Sequence, residues 1–137
     1  MKTRQDVEWV IVDDLARGRR PGYFQGHSVP RAEVDAWIVK VKALGVQSII
    51  CLLGEDQLPF YGQLETDLLS YYRAAGFRVA HVPALDRQTP PLSPEHLTSV
   101  WNAYQDLPRP VVVHCSAGLD RTGSAVEYIL RRLKELD

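Results

Sequence analysis

A cysteine and an arginine with five residues between them form the most reactive pattern in this 137-residue chain. Cys115 follows the apolar, β-branched run 111–113, which is typical of a buried strand. Arg121 is followed by Thr122 and Gly123, where an amphipathic helical pattern begins. A loop from a buried strand into a helix N-terminus directs several backbone N–H groups at one spot, and such a spot binds anions.

This loop combines a nucleophile with a phosphate-binding group. The N–H groups and the helix dipole favour the thiolate form of Cys115, which is the nucleophilic form. Arg121 carries a planar guanidinium that can hold two phosphate oxygens at once. The sequence therefore predicts that Cys115 attacks phosphorus to form a cysteinyl-phosphate, while Arg121 binds the phosphate and its transition state.

The loop resembles the signature His-Cys-x5-Arg-[Ser/Thr]-Gly of the cysteine-dependent protein tyrosine and dual-specificity phosphatases. The matching residues are His114, Cys115, Gly118, Arg121, Thr122 and Gly123. The whole chain is similar to the small atypical dual-specificity type. This resemblance implies a phosphomonoesterase that needs no metal and no cofactor, with His114 ordering the loop by hydrogen bonds rather than acting as a base. The residues expected to line the bound phosphate, besides Arg121, are Ser116, Ala117, Gly118, Leu119 and Asp120.

The threonine and the glycines of the loop also have predicted roles. The hydroxyl of Thr122 would stabilise the nearby thiolate and help to expel sulfur in the second step, although a plain helix cap is the alternative. Gly118 and Gly123 indicate a positive φ or a close approach of the backbone to the phosphate.

Thiolate attack also needs a proton for the leaving oxygen, so a carboxylic acid must reach the far side of the phosphate. Asp86 is the first candidate, because its place in the loop after the preceding strand resembles the general-acid loop of dual-specificity phosphatases. A structural ion pair with Arg87 is its alternative role. Asp120 competes for the acid role, since the pattern Cys-x-x-Gly-x-Asp-Arg-Thr resembles myotubularin lipid phosphatases and some bacterial phosphatases of mixed protein and phosphoinositide specificity.

The spacing of apolar residues predicts the strands and helices that position these side chains. Strands are expected at 8–12, 46–53, 77–82 and 111–113, with 15–18 as a short partner of the first. Helices are expected from Ser28 or Pro30 to Gly45, over 59–75, from Ser93 to Leu107, and from Thr122 onward. This alternation predicts an α/β fold with one mainly parallel sheet of about four to five strands and helices on both faces. Ligands of such sheets bind at the carboxyl ends of the strands, where Cys115 follows.

The composition is typical of a soluble domain, and it limits the classes of partner that we expect. We expect one catalytic domain over residues 1–137, since no linker or repeat interrupts the pattern. The net charge of −1 gives no electrostatic case for nucleic acid, and no apolar run is long enough for membrane insertion. Two cysteines make no disulfide framework, so a reducing cytoplasm is the expected compartment. The scattered histidines His27, His81 and His96 lack metal-ligand spacing.

Three other sets of residues leave alternatives open. Cys51 is either a small core residue or a second cysteine that traps the oxidised nucleophile. The arginines after the second strand form either a basic rim or a solvated turn: Arg17, Arg19 and Arg20. A segment that could border the cleft contains Glu55, Asp56, Phe60 and Tyr61.

These features together predict a hydrolase for phosphotyrosine, and also for phosphoserine or phosphothreonine, in proteins. A phosphorylated protein is then the expected partner, and no obligate partner is evident. The alternative enzyme is a phosphatase for phosphoinositides, inositol phosphates or RNA 5′-phosphates. A binding module of a different class, a pseudophosphatase that docks phosphate without turnover, is disfavoured by the complete set of Cys115, Arg121 and Thr122.

Overall fold

The computed structural model describes residues 6–136 and contains a five-stranded sheet. The strands are β1 Val7–Ile11, β2 Leu15–Gly18, β3 Ser48–Cys51, β4 Arg78–His81 and β5 Val111–His114. Their order across the sheet is β1-β2-β5-β3-β4, and all neighbours are parallel except the antiparallel pair β1 and β2. The predicted mainly parallel sheet, including the short partner strand at 15–18, is confirmed.

Four α-helices cover the two faces of this sheet. They are α1 Arg31–Ala43, α2 Leu68–Ala74, α3 Pro94–Asp106 and α4 Asp120–Glu135. Alternate residues of β3 enter different cores: Ile49 packs with residues of α1 and α2, whereas Ile50 packs with residues of α3 and α4. The sheet is therefore buried on both faces, as a parallel sheet requires. Across residues 6–136, no helix has the length and apolar character that crossing a bilayer demands.

Local sequence chemistry accounts for where the helices begin and end. Ser93 accepts a hydrogen bond from the backbone of His96, whose ring in turn accepts one from the backbone of Ser93, and this capping box starts α3. After α2, Gly76 has a φ of 105°, a conformation that glycine adopts without steric cost and that ends the helix. Both boundaries agree with the sequence-based prediction.

The predicted helix over 59–75 is wrong in its first half. The chain instead forms a short 3₁₀ turn, Leu58–Tyr61, and the α-helix begins only after Asp67. The carboxylate of Asp67 accepts hydrogen bonds from the backbone and the hydroxyl of Ser70, so this residue caps a new helix. Leu64 is nevertheless buried, because the turns before α2 still direct it into the core.

The parallel strands end level with one another at one edge of the sheet. In the pairing of β5 with its two neighbours, His114 lies opposite both Gly18 and Cys51. Cys51 in turn lies opposite His81 on β4. The segments that follow these four strands therefore meet at one edge. They are residues 19–20, 52–57, 82–86 and 115–121.

Candidate active site

The loop from Cys115 to Arg121 connects β5 to the N-terminus of α4, as predicted. Gly118 has a φ of 74°, and a Cβ added there would lie 2.6 Å from the carbonyl oxygen of Gly18. Any other residue would therefore be strained by its backbone conformation and would collide with the end of β2. Leu119 precedes α4, whose first-turn N–H groups have no partners within the helix. This is the anion-binding geometry that the motif predicts.

Two arginines after and within β2 hold the loop in this conformation. The backbone N–H of Arg20 donates to the carbonyl of Ser116 at 2.9 Å, and its Nε donates to the Ser116 hydroxyl at 3.1 Å. Nη2 of Arg17 donates to the carbonyl of Gly118 at 2.9 Å. Arg20 is 2% exposed, so it is neither a basic rim nor a solvated turn residue. Arg19 is buried as well, with its Nε 2.8 Å from Asp6.

Arg121 is buried but keeps one edge of its guanidinium available. Nη1 donates to Gln57 Oε1 and to the carbonyl of Ala84, both at 2.8 Å, and approaches the carbonyl of Leu52 at 3.2 Å. Nε and Nη2 have no hydrogen-bond partner among residues 6–136. Because buried guanidinium donors are normally satisfied, this edge is suited to two oxygens of a bound phosphate.

Cys115 and Thr122 complete the inner part of the site. Cys115 is 2% exposed and follows the central strand β5, and it is a free thiol. Thr122 is fully buried, and within the described part of the chain its hydroxyl has no hydrogen-bond partner. A hydroxyl that caps the helix would accept a backbone hydrogen bond, so the capping alternative has no support here.

Of the two candidate acids, Asp86 lies against the buried arginine. Its Oδ1 is 3.4 Å from Nη2 of Arg121 and accepts a hydrogen bond from the backbone N–H of Arg87 at 3.0 Å. The carboxylate is 42% exposed, which leaves it open to a substrate at the mouth of the site. Asp120 is exposed and is the first residue of α4.

His114 lies on the other face of the sheet, away from the position of a substrate. Its Nδ1 is 3.0 Å from the carbonyl of Cys115, and its Nε2 is 2.9 Å from the hydroxyl of Tyr72. A carbonyl can only accept, so Nδ1 carries the proton and Nε2 accepts from the tyrosine. Burial, reinforced by the charges of Arg121 and Arg20, lowers the pKa of His114 to about 4. A neutral ring with both nitrogens bonded is suited to ordering the loop and not to acting as a base.

The remaining predicted residues divide between core and surface. Cys51 is fully buried, and burial raises the pKa of its thiol to about 12. Its side chain packs in the core on the face opposite to that of Cys115, so the structure favours the core interpretation over a thiol trap. Tyr61 is buried and donates to the carbonyl of Pro21. Phe60 stacks on His27.

Two residues of the site were not identified from the sequence: Gln57 contacts Arg121, and Tyr72 orients His114. Arg20 was named in the sequence analysis, but neither interpretation given there includes its buried contact with Ser116. Gln57 follows two exposed acidic residues, and nothing in the local pattern distinguishes it from a solvated turn residue.

Comparisons with known proteins agree with this geometry. Residues 33–134, from α1 to α4, match the family model described as "Polymorphic toxin system, DSP-PTPase phosphatase". A search of curated proteins finds no match.

Two solved structures are similar in fold. The active form of Tk-PTP gives a TM-score of 0.66 at 20% identity, with 96% of this chain and 76% of that chain covered. The core catalytic domain of the PP-IP phosphatase SIW14 from S. cerevisiae gives a TM-score of 0.62 at 20% identity, with 96% and 67% covered. The chain belongs to the DSP-PTPase phosphatase family of polymorphic toxin systems, and so to the cysteine-based phosphatases of the protein tyrosine phosphatase superfamily.

Proposed function

We propose that this phosphatase removes phosphate from phosphotyrosine in proteins, and from phosphoserine and phosphothreonine in the same site, through a cysteinyl-phosphate. The observation that carries the proposal is the edge of the buried Arg121 formed by Nε and Nη2, which makes no hydrogen bond within residues 6–136. Two donors on one edge of a guanidinium match two phosphate oxygens. This edge belongs to the residue that ends the loop begun by Cys115.

In the first step, the thiolate of Cys115 attacks phosphorus on the side opposite to the ester oxygen. The S–P bond forms as the P–O bond to the leaving group breaks. Asp86 enters this step as the protonated carboxylic acid and gives its proton to the leaving oxygen, so the product is a neutral alcohol or phenol. Nε and Nη2 of Arg121 hold two of the three equatorial oxygens, on which the charge of the transition state is spread.

In the second step, a water molecule attacks the phosphorus of the cysteinyl-phosphate. Asp86, now a carboxylate, takes the proton from this water, and the S–P bond breaks to release inorganic phosphate. The sulfur leaves as a thiolate. The hydroxyl of Thr122, which has no hydrogen-bond partner in the part of the chain that the structure describes, donates a hydrogen bond to that thiolate and thereby assists its departure.

Two exposed leucines at the mouth of the site support an aromatic phosphoester as substrate. Leu85, between Ala84 and Asp86, is 59% exposed, and Leu119, in the phosphate-binding loop, is 54% exposed. Leucines so exposed are suited to bury their apolar surface against a phenyl ring. Both neighbours of Leu85 contact Arg121, so this leucine flanks the position of the phosphate.

Phosphoinositides, inositol phosphates and RNA 5′-phosphates form the alternative substrate class. SIW14 is named as a PP-IP phosphatase, and the loop pattern that includes Asp120 resembles that of myotubularin lipid phosphatases. Residues 116–120, however, include no lysine or arginine to bind additional phosphates. We therefore place protein substrates first.

The test compares hydrolysis of p-nitrophenyl phosphate by the wild type and by Cys115→Ser, with EDTA present. We expect turnover that EDTA does not affect and that Cys115→Ser abolishes. A wild type without turnover would make the chain a phosphate-binding module instead. A panel of phosphopeptides, phosphoinositides, inositol phosphates and RNA 5′-phosphates then identifies the substrate class, and a preference for inositol phosphates over phosphotyrosine peptides would overturn the protein-substrate proposal.

A further inference from the structure

We infer that Gln57 is a positioning residue that holds Arg121 through an uncharged oxygen and so adds no second anion beside the guanidinium that binds the phosphate. This inference rests on the proposed function and deepens it, because it names a residue that sets how strongly Arg121 attracts a phosphate dianion. The residue lies outside the signature loop and outside the acid loop.

The contacts of Arg121 divide its guanidinium into a held side and an available side. Nη1 has two N–H groups and three oxygen neighbours: Gln57 Oε1 and the carbonyl of Ala84 at 2.8 Å, and the carbonyl of Leu52 at 3.2 Å. None of these acceptors carries a formal charge. Nε and Nη2, on the available side, have no hydrogen-bond partner within residues 6–136.

Gln57 is itself fixed by the turn in which it lies. Its backbone N–H donates to the carbonyl of Gly54 at 2.9 Å, and its Oε1 accepts from the N–H of Gly54 at 3.3 Å. The residue is 5% exposed. Oε1 therefore bridges the turn after β3 and the guanidinium, and the amide needs no rearrangement to bind Arg121.

The choice of an amide rather than a carboxylate has an electrostatic consequence. Among the described residues, Asp86 supplies the carboxylate within 4.0 Å of Arg121, and it lies on the available side at 3.4 Å. A glutamate at position 57 would add an anion on the held side, where burial weakens solvent screening. The guanidinium would then face a carboxylate on each side, and its attraction for a phosphate dianion would fall.

The experiment measures oxyanion affinity without turnover, in proteins that also carry Cys115→Ser. Tungstate and perrhenate are both tetrahedral, but tungstate carries two negative charges and perrhenate carries one. We expect Gln57→Glu to weaken tungstate binding by roughly tenfold to a hundredfold, as an added buried charge near the anion implies. The loss for perrhenate should be markedly smaller. Titration calorimetry at pH 7.5 reads both dissociation constants.

A purely structural role predicts a different result. Glutamate preserves the length of glutamine and is the stronger acceptor, so hydrogen bonding alone would leave both affinities unchanged or tightened. Distortion of the site would weaken both anions by the same factor. Either outcome, in protein with an unchanged melting temperature, overturns the inference.

Two companion variants keep the test decisive. Gln63→Glu adds the same charge at an exposed position of the same segment, and we expect unchanged affinity for both anions. Gln57→Met removes the acceptor without adding charge, and it serves if Gln57→Glu does not fold. There we expect a larger loss for tungstate than for perrhenate, because a displaced guanidinium loses more attraction for the anion of higher charge. An equal loss for both anions, or wild-type affinity for both, would overturn the inference. A protein that binds tungstate in this Gln57-dependent way but hydrolyses no phosphomonoester would refute the proposed function alone.

Discussion

The carboxylate of Asp86 and the guanidinium of Arg121 form an ion pair at the mouth of the site, with Oδ1 3.4 Å from Nη2. Nη2 is also one of the two donors that have no hydrogen-bond partner among the described residues. A phosphate held on that edge would therefore lie beside the carboxyl group that we propose as the general acid. This contact links Arg121 to the loop after β4.

Asp86→Asn should lower kcat by roughly a hundredfold or more, because an amide cannot give a proton to the leaving oxygen. The loss should be larger for phenyl phosphate than for p-nitrophenyl phosphate, since p-nitrophenolate leaves without protonation. Steady-state kinetics with both substrates provide the measurement. Asp120→Asn is the matched control and should retain most of the activity. If Asp120→Asn shows the larger, leaving-group-dependent loss, Asp120 is the acid instead.

Thr122→Ala should slow the second step more than the first, because its hydroxyl stabilises the thiolate that leaves phosphorus. We expect kcat to fall about tenfold to a hundredfold and phosphoenzyme to accumulate, as loss of one charge-stabilising donor implies. Rapid mixing with p-nitrophenyl phosphate would then show a burst of p-nitrophenolate. Thr122→Ser keeps the hydroxyl and should retain near-normal kcat. Absence of the burst, with kcat reduced in both variants, would refute this role.

Arg20→Met should destabilise the folded state by about 2 kcal/mol, because Ser116 and the carbonyl of Gly26 lose a buried charged donor. The phosphate-binding loop should also loosen, which would raise the KM for p-nitrophenyl phosphate. Urea denaturation and steady-state kinetics measure the two effects. Arg87→Met, at an exposed position, is the control for loss of one positive charge. Equal effects in both variants would show that net charge, not the loop contacts, matters.

The neutral ring of His114 should make folding sensitive to mild acid. Burial lowers its pKa from 6.5 to about 4, so between these values the unfolded chain binds a proton that the folded chain does not. Stability is therefore full above about pH 6.5 and falls as the pH is lowered toward 4, by about 3 kcal/mol in total.

Urea denaturation at several pH values across this window measures that loss. The glutamine side chain in His114→Gln does not titrate. The stability of this variant should therefore depend less on pH between about 4.5 and 7 than that of the wild type. The carboxylates whose pKa is lowered, Asp6 and Asp67, act mainly at lower pH and are present in both proteins. An identical pH dependence in the two proteins would contradict the assignment to His114.

Local sequence patterns predicted the structure correctly where interactions between neighbouring residues determine it. The apolar run 111–113, the Ser93 cap and the spacing of Cys115 and Arg121 each specify their structure through neighbouring residues. The helix predicted over 59–75 failed because its apolar spacing matched a helix, while Asp67 started a new cap in the middle of it. Burial of Leu64 satisfied the same pattern without helical backbone.

The sequence by itself determined the strand–loop–helix unit that carries Cys115 and Arg121. It also predicted the family and the mainly parallel sheet. Tertiary structure alone decided which side chains support that unit. Gln57 meets Arg121 across 64 positions, and Arg20 meets Ser116 across 96. Such contacts depend on how the parallel strands align at one edge of the sheet. The spacing of residues within a short segment does not predict that alignment. Asp86 likewise contacts the guanidinium of Arg121 because β4 ends level with β3 and β5.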